Sequence, residues 1–141
     1  MGQRVHIQQE FDVPVERAYA YLAEHENLGT VFGLKVERVQ DGDTERNGVG
    51  SVRRLSVGGV APFEETVTKA VPSELIEYRI SKGSPLRNHL GTMRFAALPG
   101  DRSQLDYTIV FGAAVPLLAS VVKRGLESGL KRGLPKVNSY A

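Results

Sequence analysis

The sequence has no cysteine, which excludes disulfides, thiolate metal ligands and a cysteine nucleophile, and fits a reducing compartment. It has little excess charge: 18 basic against 16 acidic side chains leave a net +2. A nucleic-acid partner is not expected on that balance, because such proteins concentrate basic residues with aromatics on one face. The one basic concentration is late, at Lys123, Arg124, Lys131, Arg132 and Lys136. It reads as a solvated helix face with cations favoured near a helix C-terminus. A long apolar run is also missing. The stretch from Phe111 to Val122 is short and broken by Gly112 and Pro116, so stable membrane insertion is not expected. The opening residues carry no secretory pattern, and the expected location is cytoplasmic. The three histidines, His6, His25 and His89, fall on separate elements without metal-ligand spacing. Gly48-x-Gly50 has no following helix, so it is not a dinucleotide loop. Neither a metal nor another cofactor is expected.

What is present suits one domain: 141 residues, 41% of them hydrophobic, without linker, repeat or low-complexity tract. A chain of this length has little room for both a thick core and a large cavity, so any pocket shares its walls with the core.

Arg4 to Phe11 alternates apolar and polar residues, which predicts a half-buried strand ended by Asp12-Val13-Pro14. From Pro14 to about His25 the period lengthens; Val15, Ala18, Tyr19 and Leu22 form one helical stripe. Glu26 to Phe32 predicts a short second helix ended by Gly33. Six strands follow, over Leu34–Val39, Gly50–Val57, Phe63–Val71, Leu75–Lys82, Leu90–Leu98 and Leu105–Phe111. Short turns separate them, among them Gly58-Gly59, Gly83-Ser84-Pro85 and Pro99-Gly100-Asp101, as in an antiparallel meander. About Ala113 to Leu134 is a long amphipathic helix with an apolar stripe of Val115, Leu118, Ala119, Val122, Leu126 and Leu130. Strand, helices, six strands and helix make an α+β architecture.

Alternation assigns the inner face of each strand. Arg53 shares a face with Leu55 and Val57. Glu65 goes with Phe63 and Val67, and Tyr78 with Ile76 and Ile80. His89 and Gly91 go with Met93 and Phe95; Tyr107 goes with Leu105, Ile109 and Phe111. Five polar side chains thus point inward. A charge on an apolar face needs a partner, and Arg53 and Glu65, on consecutive strands, satisfy each other as a charge-assisted pair. The pair is either a structural ion pair that fixes register or an anchor for a ligand carbonyl or carboxylate. His89 is either an acid–base group or an exposed residue of the Gly83–Asn88 hairpin. Tyr78 and Tyr107 either bind a ligand or are amphipathic core residues. Gly125, Gly129 and Gly133 align on one side of the last helix, serving either close packing or an opening for ligand.

Three segments carry a family resemblance. Val13-Pro14-Val15-Glu16-Arg17-Ala18-Tyr19 leads into the first helix; Gly48-Val49-Gly50-Ser51-Val52-Arg53-Arg54-Leu55 has a Gly-x-Gly-x-x-Arg pattern; Glu65, Pro72 and Tyr78 keep a fixed spacing on two paired strands. In this order, along nearly the whole chain, they resemble the START/polyketide-cyclase (SRPBCC, helix-grip) superfamily. The resemblance implies a curved seven-stranded antiparallel sheet wrapped around the C-terminal helix, two short helices after the first strand, and a cavity between sheet and helix. Superfamily members bind lipids, sterols, quinones, hormones or polyketides, and some are aromatase/cyclases. Fold alone does not choose among these.

On this footing the expected ligand-binding residues are Phe32, Arg53, Leu55, Phe63, Glu65, Val67, Tyr78, Met93, Phe95, Tyr107, Ile109, Leu118 and Val122. His89 and Tyr78 are the candidate catalytic groups. Binding of an apolar or aromatic small molecule, by a monomer or homodimer, is the leading expectation. The alternatives are a cyclase/dehydratase using the same cavity, and a lipid or quinone carrier docking through the basic helix end and Pro85-Leu86-Arg87.

Overall fold

The period-two segments pair as one antiparallel sheet in the order β1-β7-β6-β5-β4-β3-β2. A computed structural model describes residues 2–58 and 60–141, and the side chains of residues 60, 61 and 116 stay outside the description. Gly59, expected in the turn after the third strand, lies outside the described residues. The strands are β1 Gln3–Phe11, β2 Lys35–Gln40, β3 Val52–Val57, β4 Val60–Val71, β5 Leu75–Lys82, β6 Leu86–Leu98 and β7 Arg102–Ala113. β2 to β7 follow in chain order, and β1 returns beside β7. The two edge strands are therefore consecutive in sequence.

The segment joining those edges holds α1 (Val15–Ala23), a 3-10 turn at His25–Asn27, and α2 (Leu28–Phe32), which ends at Gly33 in the left-handed conformation. Val15, Ala18 and Leu22 bury the face that their helical spacing aligns. The long helix α3 (Pro116–Gly133) packs against β1, β7 and α2. Beyond its expected end, a 3-10 turn (Leu134–Lys136) and a short helix α4 (Val137–Tyr140) bury Leu134 and Val137.

Several boundaries differ from expectation, β3 beginning at Val52 rather than Gly50, β4 at Val60 rather than Phe63 and β7 at Arg102 rather than Leu105, and two more differ for identifiable physical reasons. β6 starts at Leu86 rather than Leu90, because a bulge between Arg87 and Leu90, with Asn88 at φ +52°, keeps the chain paired to β7. His89 is therefore a buried strand residue and not a hairpin residue. Val115, expected on the apolar stripe of α3, precedes the helix and is 57% exposed.

The sheet's concave side has two regions. Towards α1 and the C-terminal turn it is filled: Val67, Met93 and Phe95 are buried in the main core, and Tyr19 meets Phe95 edge-on at 5.2 Å. Towards the stretch of α3 from Val122 to Leu130 it is hollow.

Candidate functional site

Residues Arg53 on β3 and Glu65 on β4 are directly opposed in register. Both side chains are almost fully buried, and Arg53 Nε donates to Glu65 Oε1 at 2.8 Å. The guanidinium carbon lies 4.5 Å from the centre of the Tyr78 ring, a cation–π contact in a dry setting. Arg53 Nη1 lies 3.2 Å from His25 Nδ1, and His25 Nε2 lies 2.8 Å from Ser51 Oγ, which is 2.7 Å from the Gly48 carbonyl oxygen.

Proton positions follow from what each group can do. A carbonyl only accepts, so Ser51 gives its hydrogen to Gly48. Ser51 Oγ then accepts from His25 Nε2–H, and His25 Nδ1 accepts from Arg53. The run Arg53→His25→Ser51→Gly48 thus donates in one sense through a neutral His25, and Arg53 donates the opposite way to Glu65. Burial, reinforced by the Arg53 charge, lowers the His25 pKa from 6.5 to about 3.

His89 is held from the other side. The backbone N–H of Ile80 donates to His89 Nδ1 at 3.0 Å, so the hydrogen sits on Nε2. That nitrogen is 3.7 Å from Glu65 Oε2, beyond a hydrogen bond. Burial pushes the His89 pKa down, opposed by Glu65. Tyr78 and Tyr107 hydrogen-bond each other through their hydroxyls, and burial raises both pKa values. Gly91 makes this possible, since a Cβ there would stand 2.2 Å from Tyr78 Cζ.

Beside these groups lie two contiguous chambers. The outer one, about 430 Å³, is bounded by Val57, Phe63, Pro85 and Leu86 on the strand side and Val122, Gly125, Leu126 and Leu130 on α3. The inner one, about 70 Å³, shares Phe32, Leu34, Phe63, Leu86, Val122 and Leu126 with it. Leu55, Ile80 and Ile109 complete its apolar wall, and its polar wall is Glu65, Tyr78 and His89. Larger hollows lie on the outer surface, at the β1–β7–β6 edge and beside α1, and contain no buried charged side chain.

Of the residues expected at a ligand site, Phe32, Leu55, Phe63, Glu65, Tyr78, Ile109 and Val122 border a chamber, as does His89. Val67, Met93, Phe95 and Leu118 border neither; the first three are in the filled half of the core. Arg53 and Tyr107 also stand outside the walls and act through Glu65 and Tyr78, which they bond. Sequence reasoning missed Leu34, Ile80, Leu86 and Leu126 as walls, and His25 and Ser51 as partners of Arg53. One signal for the latter pair was available: a buried guanidinium has five donors, and one carboxylate cannot satisfy them. Among the described residues no group of three or more His, Asp or Glu is placed to hold a metal ion, and no helix is long and apolar enough to cross a membrane.

A bent antiparallel sheet gripping a terminal helix over a lined hollow defines a helix-grip domain. The chain belongs to the polyketide cyclase / dehydrase and lipid transport family, whose match spans residues 2–140. Among solved structures it is similar to the Zhui aromatase/cyclase from Streptomyces sp. R1128, with 21% identity, TM-score 0.73 and coverage of 100% of this chain and 99% of that one. A START superfamily protein from Mycobacterium smegmatis aligns at TM-score 0.78 with 14% identity over 98% and 99%. Norcoclaurine synthase from Thalictrum flavum, in complex with dopamine and hydroxybenzaldehyde, aligns at TM-score 0.72 with 12% identity over 99% and 86%. No curated protein matches in sequence. Family and fold together support hydrophobic-ligand binding or polyketide-cyclase-type function.

Proposed function

We propose that the protein binds an apolar or aromatic small molecule in the two chambers between sheet and α3, as one ligand-binding domain. The observation that carries this is a continuous apolar hollow ending in three polar groups, Glu65, Tyr78 and His89. Binding is favoured over chemistry by the state of those groups. The His89 lone pair is taken up by Ile80 N–H, so among the described residues no basic nitrogen faces the chamber. Neutral Nε2–H is a hydrogen-bond donor and a very weak acid, and burial makes Tyr78 a weaker acid than free tyrosine. Glu65 remains as the single available base, which leaves a cyclase-type activity with one catalytic group rather than two.

A thermal-shift screen of lipids, quinones and aromatics, followed by native mass spectrometry, tests the reading. Leu126→Trp, which fills the outer chamber, is expected to abolish every stabilising hit while the fold is retained. Hits that survive this substitution would place binding elsewhere.

A carrier role has one supporting observation. Val57 at the chamber rim is 69% exposed, and Leu117 and Val121 on α3 are 73% and 60% exposed, a costly arrangement without a second surface. Transfer of a fluorescent lipid between vesicles that is no faster with protein than without it would remove that role.

A further inference from the structure

We infer that the inner chamber selects ligands whose buried polar end is a hydroxyl, either an alcohol or a phenol. This rests on the binding reading above and adds the chemical class of the ligand's polar end.

The argument starts from two atoms on the chamber's polar wall. His89 Nε2 carries a hydrogen, because Nδ1 accepts from a backbone amide that can only donate. Glu65 Oε2 is an acceptor, since its partner oxygen Oε1 already takes the Arg53 Nε–H. Among the described residues neither Nε2 nor Oε2 makes a hydrogen bond, and they stand 3.7 Å apart. Both side chains border the inner chamber. The wall therefore presents one donor and one acceptor side by side, with both orientations fixed by other bonds.

A single oxygen placed about 2.8 Å from each atom spans the pair, and sees them roughly 80° apart. A hydroxyl matches this: its lone pair accepts from Nε2–H and its hydrogen goes to Oε2. A ketone or ether accepts from His89 but leaves Oε2 desolvated without a donor, which is costly for a charged acceptor. A carboxylate sets a like charge against Glu65. An ammonium satisfies Glu65 but turns its own hydrogens on Nε2–H. Water fits the same pair, so a ligand hydroxyl reproduces the bonds of the water it displaces, and the other groups do not. The apolar remainder lies along Phe63, Leu86, Val122 and Leu126 into the outer chamber.

Calorimetry on the intact protein tests this with two matched series, one flat and one linear. The first is 2-naphthol, 2-methoxynaphthalene and 2-naphthoate; the second is 1-decanol, its methyl ether and decanoate. In whichever frame binds, the hydroxyl member is expected to bind at least about tenfold tighter than its ether and carboxylate, the value of one hydrogen bond to a charged group. An ether or carboxylate that binds as tightly as the hydroxyl overturns the inference and leaves the cavity reading standing. If no member of either series binds, the cavity reading fails, and this inference with it. His89→Phe keeps an aromatic ring, slightly larger than imidazole, and removes the donor, so hydroxyl and ether should each bind at least severalfold more weakly, while the hydroxyl keeps its bond to Glu65 and its preference over the ether. Hydroxyl affinity unchanged in a folded variant also overturns the assignment. If the variant does not fold, the wild-type series decides alone.

Discussion

Replacing Arg53 with Met is the sharpest test of the buried polar chain. The substitution keeps much of the apolar stem and removes three interactions at once: the 2.8 Å bond to Glu65, the 3.2 Å bond to His25 and the contact with the Tyr78 ring. Its main cost is what stays behind. Glu65 is 5% exposed and cannot turn to water, so a carboxylate is left without its countercharge. Breaking a buried pair from one side costs about 3–5 kcal/mol. For a chain of this size that is a fall of roughly 10–15 °C in melting temperature. The double variant Arg53→Met/Glu65→Leu removes the stranded charge and should recover at least about 2 kcal/mol. Urea denaturation of wild type, both single variants and the double gives the cycle. A single variant within about 1 kcal/mol of wild type, or a double no better than the single, would refute the claim that the pair is desolvated and mutually dependent.

Other outcomes follow from the same structure. His25 has its pKa lowered from 6.5 to about 3, so the unfolded chain binds a proton that the folded one refuses; stability falls with falling pH across that window, by up to about 1.4 kcal/mol per pH unit. His25→Gln should remove that part of the slope in acid denaturation, and an identical slope would show that His25 does not titrate as argued. The glycines of α3 should split. Gly125→Ala meets nothing within 4 Å and should stabilise by up to ~1 kcal/mol, whereas Gly133→Ala puts a Cβ 1.8 Å from the Val31 carbonyl oxygen and should destabilise by at least about 1–3 kcal/mol, both read from urea midpoints. Gly91→Ala drives Tyr78 off its site and should cost about the same as Gly133→Ala, with tyrosine fluorescence altered.

The architecture was legible because each strand alternates and each turn is marked by Gly, Pro or Asp, so pairing in chain order was the economical choice. Helical stripes at Val15, Ala18 and Leu22 were equally plain. The site was half legible. The facing of Arg53 and Glu65 came from alternation alone, and their register agrees with it. The walls were harder, because alternation counts residues and a bulge adds one. Counting back from His89 turns Leu86 outward; the extra residue at Asn88 restores it to the chamber, and nothing local except Asn marks that shift. Alternation also cannot say where along a strand the core stops being solid. Val67, Met93 and Phe95 face inward as expected, but α1 supplies the side chains that fill their end. The Gly125–Gly133 stripe was ambiguous because its two ends differ: Gly133 packs on α2, and Gly125 borders the outer chamber. His25 escaped because its partner Arg53 comes from a strand 28 residues away, which no spacing rule reaches.

These features depend on one another in a definite order. Arg53 is too buried to be solvated, so it needs fixed acceptors, and the turn after α1 supplies one in His25 while β4 supplies the other in Glu65. His25 can accept only as the neutral tautomer that Ser51 and Gly48 impose, which is why a serine and a carbonyl belong to a site that neither touches. Because Arg53 takes Oε1, Glu65 turns its second oxygen to the chamber; because Ile80 takes Nδ1, His89 turns a hydrogen there. The polar end of the cavity is thus set by backbone and buried charges before any ligand arrives, and its reorganisation cost on binding is small. On the proposed binding reading, a site of that kind discriminates by what it leaves unpaired, which assigns selectivity to two fixed atoms and affinity mainly to the apolar chamber outside them.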